Sequence, residues 1–233
     1  MPSLSAQKLI RKLRQRKYRW QEKLFVAEGP KLVQDLMDSG LKPLHLWSTN
    51  NFPKSEIIDL DLLSKLSHLS SPNEVIAVFP FPTFTAAKSQ KLLILDEVND
   101  PGNLGTLLRT ADWFGYQKVI CTKGTADVYN SKTVQSTMGS LARLDIDYLS
   151  FEEIKEQYES HRFLIADMQG EDYQNLKADD FTNFALVMGS ESHGPREYWK
   201  ELGLYITIPK PSESTIDSLN VAVAGALIMQ HFS

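Results

Sequence analysis

Two polar residues six apart, Asn103 and Arg109, raise the question of chemistry in this chain of 233 residues. They lie in NDPGNLGTLLRTADWFG (99–115), directly after the strand-like run KLLILDEV. Leu104, Leu107, Leu108 and Ala111 have the i, i+3, i+4, i+7 spacing of a helix packed on a core. At roughly 100° per residue, Arg109 then projects about 150° from the middle of that stripe. A guanidinium so placed stays charged, and its ordinary use is bidentate binding of phosphate. Trp113, one turn on, is also off the stripe, and the two together point to a covered surface. Asn103 is expected to cap a helix beginning at Leu104.

Two later loops also follow apolar strands. LVMGSESHGP (186–195) sets Glu191 between Gly189 and Gly194, and glycines there permit a tight reversal or a close approach of backbone to a ligand. Ser190 or Ser192 beside His193 could suggest a hydrolase, but neither serine stands in a G-x-S-x-G frame. ITIPKPSESTIDSLNVAVAGALIM leads from a strand through a loop into a helix, with Asp217 or Ser218 as its expected cap. Ala222, Ala224, Gly225 and Ala226 would let another backbone lie close to that helix. Neither G-x-G-x-x-G nor a Walker A lysine is present, so dinucleotide and nucleoside triphosphate sites lack support. No metal site is expected, since Glu191 and His193 do not form H-E-x-x-H and one cysteine, Cys121, excludes a multi-cysteine zinc site.

The elements that must position these loops follow from composition. With 42% hydrophobic and 23% charged residues, the chain reads as an ordinary soluble globular protein. The longest apolar run, VAVAGALIM (221–229), is too short to span a bilayer, and the basic N-terminus lacks a signal peptide's apolar stretch, so a cytoplasmic protein without membrane contact is expected. From Lys91 onward, KLLILDEV, KVICT, RFLIAD, FALVMG and LYITIP are apolar runs separated by helical stretches, the pattern of an α/β domain with a mostly parallel sheet. A Pro-, Thr-, Ala- and Ser-rich stretch precedes it. The expected division is a small α/β domain over 1–83, a linker over 84–90 and a larger domain over 91–233.

Charge is unevenly spread. Residues 1–23 carry eight basic side chains against Glu22 alone, while the remainder holds 17 basic and 28 acidic ones. A basic arm on an acidic protein implies a local polyanion contact, with Arg11, Arg14, Arg16, Lys17 and Arg19 as candidate contacts. Tyr18 and Trp20 are interleaved as a platform for unpaired bases would be. The plainer alternative is a solvated amphipathic helix with Leu9 and Leu13 docked.

N-x-x-x-x-x-R after the first strand, G-x-E-x-x-G after a later one, and I-P…S-L-N-V near the end occur here in that order. They resemble the three motifs of the SpoU (TrmH-like) family of RNA ribose 2′-O-methyltransferases, in the SPOUT superfamily. KYRWQEKLFVAEGPKLV likewise resembles that family's RNA-binding module, so the likeness spans nearly the whole chain. It implies a C-terminal SPOUT domain with a trefoil knot, S-adenosylmethionine held by the knot loops, and a homodimer packed through the knot. One departure is KPSESTID between IP and SLN, which is longer than the usual loop and carries Lys210-Pro211 where methionine is customary.

The resemblance further implies site roles. Arg109 would clamp the target phosphate and ease deprotonation of the ribose hydroxyl, or act as base with phosphate assistance. Asn103, Ser218 and Asn220 would orient it or the sugar, and Glu191 would hold the arginine or shape its loop. Gly189, Ile208 and Leu219 would contact the methyl donor through their backbones. The expected partner is RNA and not DNA, with 23S ribosomal RNA favoured over tRNA. Rival readings are a non-catalytic ribosome-assembly factor of the same fold and a base methyltransferase of the same superfamily.

Overall fold

A computed structural model of the chain describes residues 2–85 and 89–233. Ala86, Ala87 and Lys88, within the expected linker, lie outside the described residues. The chain divides into two compact units, Met1–Phe84 with Asp127–Arg143 and Thr85–Ala126 with Leu144–Ser233. The sequence reading has 91–233 as one body, whereas Asp127–Arg143 joins the first unit.

The first unit opens with α1 (Leu4–Lys12) and α2 (Arg16–Glu22), so the basic arm is two helices. Then come β1 (Leu24–Glu28), α3 (Pro30–Asp38), β2 (His45–Ser48), β3 (Glu56–Ile57), α4 (Leu60–Leu66) and β4 (Val75–Pro80). The sheet order is β1-β4-β2-β3, with β4 antiparallel to β1 and β2, and β3 parallel to β2. Ser3 caps α1 and Asp59 caps α4, each accepting from an amide of the first turn. Ile10 and Leu13 dock into a core with Val26, Trp47, Leu63, Ile76 and Val78. That burial is what fixes the arm, leaving Lys8, Arg11 and Lys12 outward.

The second unit supplies β5 (Lys91–Asp96), α5 (Pro101–Trp113) and β6 (Lys118–Cys121). The chain then gives α6 (Ser131–Thr137) to the first unit, where it packs on β1. It continues through β7 (Asp145–Tyr148), α7 (Phe151–Gln157), β8 (Arg162–Asp172), β9 (Phe184–Gly189), β10 (Gly203–Thr207) and α8 (Val221–His231). Six strands form a sheet of order β10-β8-β9-β5-β6-β7 in which every pairing is parallel. The expected parallel α/β class is therefore what the chain adopts.

Three local expectations are corrected. The sheet has a sixth strand, β7, absent from the apolar runs because its DIDY sequence carries charge. Its aspartates both meet Lys118 of the neighbouring strand, Asp145 at 2.7 Å and Asp147 beside it. Asn103 does not cap α5: Asp100 does, accepting from the Asn103 amide at 2.8 Å, with Pro101 in the first turn. Neither Asp217 nor Ser218 caps α8; Asn220 does, accepting from Ala222 and Val223. At Gly225 of α8 it is a side chain and not a backbone that comes close, since a Cβ there would lie 2.5 Å from the Leu107 side chain of α5.

Candidate active site

Freed from capping, the Asn103 side chain joins three distant segments of the second unit. Its Nδ2 donates to Glu191 Oε1 at 2.6 Å, and its Oδ1 accepts from Asn220 Nδ2 at 3.0 Å. Asn220 can reach it because its own Oδ1 is fixed by the amides at the start of α8. Side chains from the β5–α5 junction, the loop after β9 and the N-terminus of α8 thus form one hydrogen-bonded chain. Arg109 lies six residues along α5, about 9 Å further up the helix axis. It is exposed and makes no hydrogen bond or ion pair among the described residues.

The other expected site residues are less committed. Gly189 is buried at the last rung of β9, where a Cβ would stand 2.0 Å from Pro195 N. Only glycine allows the loop to fold back so closely, and Ser190 and Gly194 bridge its base. Ser218 is exposed and makes no hydrogen bond among the described residues, so the structure brings it no partner. Leu219 is 50% exposed and Ile208 half-buried. The long loop between them is closed by Lys210 Nζ donating to the Ile216 carbonyl at 3.1 Å. His193 is not set on a serine: its Nδ1 faces Gly194 O at 2.9 Å and its Nε2 faces Glu97 at 3.3 Å.

The sequence reading missed the carboxylates beneath this loop. Asp96, fully buried at the end of β5, accepts from Thr122 Oγ1, Arg196 N–H, Tyr198 OH and Trp199 Nε1, all within 2.8–2.9 Å. Partial burial, then the hydrogen bond to Asp96, pushes the Tyr198 hydroxyl far above its usual range. Glu97 holds the Arg196 guanidinium at 2.5 Å, which raises the arginine's pKa further. An Asp-Glu pair ending an apolar run was the one visible signal. Nothing local announces donors a hundred residues away.

Among the candidate nucleic-acid contacts, Arg19 is corrected. It is 4% exposed, donates twice to Asp127 Oδ2 at 2.8 and 2.5 Å, and donates to the carbonyls of Leu13 and Arg14. Burial of so costly a charge is tolerated because every nitrogen has a partner. Trp20 is no open platform either: it donates to Asp127 and meets Phe81 and Tyr129 edge-on. Arg11, Arg14, Arg16 and Lys17 are exposed, although Arg14 also reaches the Ser67 carbonyl at 2.7 Å.

Residues 90–230 match the model of the SpoU rRNA Methylase family. The chain belongs to that family. Residues 6–77 also match an MRM3-like substrate binding domain. A relative from Bacillus subtilis, the 23S rRNA (guanosine(2553)-2′-O)-methyltransferase RlmP, is 30% identical over 95% of this chain and 93% of its own length. A Sinorhizobium meliloti rRNA methyltransferase solved with AdoMet bound is 28% identical and superposes with a TM-score of 0.84, covering 100% of this chain and 96% of that one. A Porphyromonas gingivalis protein assigned to the TrmH family of RNA methyltransferases is 33% identical with a TM-score of 0.85, covering 100% and 98%. Membership in the SpoU family gives the Asn103–Glu191–Asn220 chain its context, since it links this chain's three motif segments.

Proposed function

We propose that the chain transfers a methyl group from S-adenosylmethionine to a ribose 2′-hydroxyl of ribosomal RNA, with 23S rRNA as the favoured substrate. The observation that carries this reading is the Asn103 side chain bonded at once to Glu191 and Asn220, which joins the three motif segments, with an uncommitted Arg109 six residues further along α5. Bound S-adenosylmethionine supplies an activated methyl, leaving the protein to align the hydroxyl and manage one proton. Arg109 keeps its positive charge and clamps the target phosphate bidentately, so that negative charge on the ribose oxygen is stabilised as the hydroxyl proton passes to solvent water. Asn103 and Asn220 fix the near wall of the site, and Glu191 holds its loop against them. Gly189, Ile208 and Leu219 hold the methyl donor through main-chain groups. The fit is supported by Ser218 and Leu219, whose backbones make no hydrogen bond among the described residues and stay available to a ligand. Ser218 orients the ribose only once a substrate is there to receive it.

Two architectural features complete the reading. After β10, at one edge of the sheet, the chain returns to pack α8 on α5 and β9. We infer that this return threads the trefoil knot that the family resemblance implies. A groove between α5 and α8, lined by Thr106, Thr110, Phe114, Val223, Ala226 and Leu227, lies on the same face as the site. Val223 is 50% and Leu227 41% exposed there, and Trp113 stands 84% exposed on α5. A second copy covers this face, and Leu227→Asp therefore shifts the sedimenting species from dimer to monomer. A variant that sediments as the wild-type chain removes the groove from the interface. The functional reading is tested by mapping ribose methylation in RNA from cells lacking the protein. Loss of one 2′-O-methyl mark in 23S rRNA is expected; a loss confined to tRNA redirects the substrate, and an unchanged map contradicts the reading.

A further inference from the structure

Glu97 adopts φ 57°, a left-handed backbone that a non-glycine residue enters at a cost. Its surroundings are built to keep it there. Thr122 Oγ1 accepts from the Glu97 amide at 3.1 Å while donating to Asp96. Gly124 leaves room for the side chain, since a Cβ at that position would lie 3.0 Å from Glu97 Cγ. Glycine would relax the backbone at position 97, yet a glutamate stands there and its carboxylate contacts Arg196 and His193 at 2.5 and 3.3 Å.

Those two contacts fall on one loop. It departs from Gly189, which lies opposite Asp96 in the β5–β9 ladder. It returns at Arg196, whose amide donates to that same Asp96. Asp96 therefore closes the loop at its base, and Glu97 grips its descending limb. Glu191, which bonds Asn103, sits on the opposite limb.

We propose that Glu97 is a positioning residue, holding the 190–195 loop in the geometry that receives the methyl donor. This rests on the methyl-transfer reading given above. The side-chain clamp preorganises a polar loop that carries Glu191, Ser192 and His193 in succession, so that donor binding does not have to order it.

The test is Glu97→Gly in the full-length chain, with calorimetric titration of S-adenosylmethionine and steady-state kinetics on ribosomal RNA. Relief of the left-handed φ offsets the entropy glycine adds to the unfolded chain, so the thermal midpoint should stay within about 3 °C of wild type. The Kd and KM for S-adenosylmethionine should nevertheless rise about tenfold, with RNA affinity unchanged. Glu97→Gln, which keeps the length and one acceptor, should recover part of that loss. Donor affinity within twofold of wild type in Glu97→Gly overturns the inference. A weakened affinity that tracks a lowered thermal midpoint also overturns it, by reducing Glu97 to a fold-stabilising role. A wild-type chain that binds no S-adenosylmethionine overturns the methyl-transfer reading itself, and is thereby distinguished from failure of the clamp alone.

Discussion

Arg19 on α2 is buried and donates to Asp127 and to two main-chain carbonyls, whereas Arg109 on α5 stands in solvent with no partner among the described residues. Both are helical arginines, Arg19 on the buried side of α2 and Arg109 on the exposed side of α5. The difference lies in what the rest of the chain supplies. In the first unit Asp127 pairs with the guanidinium, while Trp20 and the Tyr129 amide donate to that carboxylate's other oxygen, which makes the arginine part of the fold. In the second, Asn103, Glu191 and Asn220 satisfy one another and leave Arg109 without a counter-charge. A charge completed internally stabilises structure, and a charge left incomplete is available to a ligand.

That contrast can be broken from either side. Arg19→Ala strands the buried Asp127 carboxylate and should cost about 3–5 kcal/mol of folding free energy in urea denaturation. A loss under about 1 kcal/mol would show that Arg19 is not structural. Arg109→Ala should leave stability within about 0.5 kcal/mol while methyl transfer falls about a hundredfold or more, roughly 3 kcal/mol of barrier. Retained turnover removes Arg109 from the mechanism.

The first unit also holds a titratable test of its own packing. Burial pushes the His68 imidazole down to about 4, although its ring faces the Ile10 carbonyl at 2.7 Å. The folded state thus binds fewer protons than the unfolded state, so stability is full above pH 6.5 and is lost as pH falls towards 4, by up to about 3 kcal/mol. Glu28, raised chiefly by burial, works against this, because its protonation on acidification favours the folded state. Urea midpoints across that range should fall for the wild-type chain and flatten for His68→Gln; equal slopes would remove His68 as the origin. The smallest effect belongs to the exposed cations. Neutralising Arg11, Arg16 and Lys17 one at a time should weaken RNA binding modestly and lower its salt slope by about one for each phosphate no longer neutralised. A slope that never changes leaves the arm a solvated surface.

What could be read in the sequence follows the range of the interactions involved. The stripe Leu104, Leu107, Leu108 and Ala111 is wholly buried, and the runs that form β5, β6 and β9 are apolar because both sheet faces are covered there. Asn103, Glu191 and Asn220 are legible through the resemblance of their three motifs to those of the SpoU family, whereas local pattern alone offers Asn103 as a helix cap and Glu191 as a residue between two glycines. The misses are nonlocal or turn on competition. Arg19 and Arg16 look alike until Asp127, 108 residues from Arg19, selects one for burial. Strand β7 hides its identity because its partner is the largely buried Lys118 of another strand. Asp100 and Asn103 are equally able caps three residues apart, and the turn through Pro101 decides for Asp100. Glu97 shows in sequence only as the second acid of a pair ending an apolar run, while its left-handed backbone and its contacts to Arg196 and His193 emerge from the fold.

The central claim is that this site methylates a ribose oxygen in ribosomal RNA. Incubating the wild-type chain with ribosomal RNA and methyl-labelled S-adenosylmethionine, then digesting to nucleosides, reads the acceptor atom directly. Label in a single 2′-O-methylnucleoside is the expected result. Label on a base, or RNA that is bound but never labelled, would contradict it.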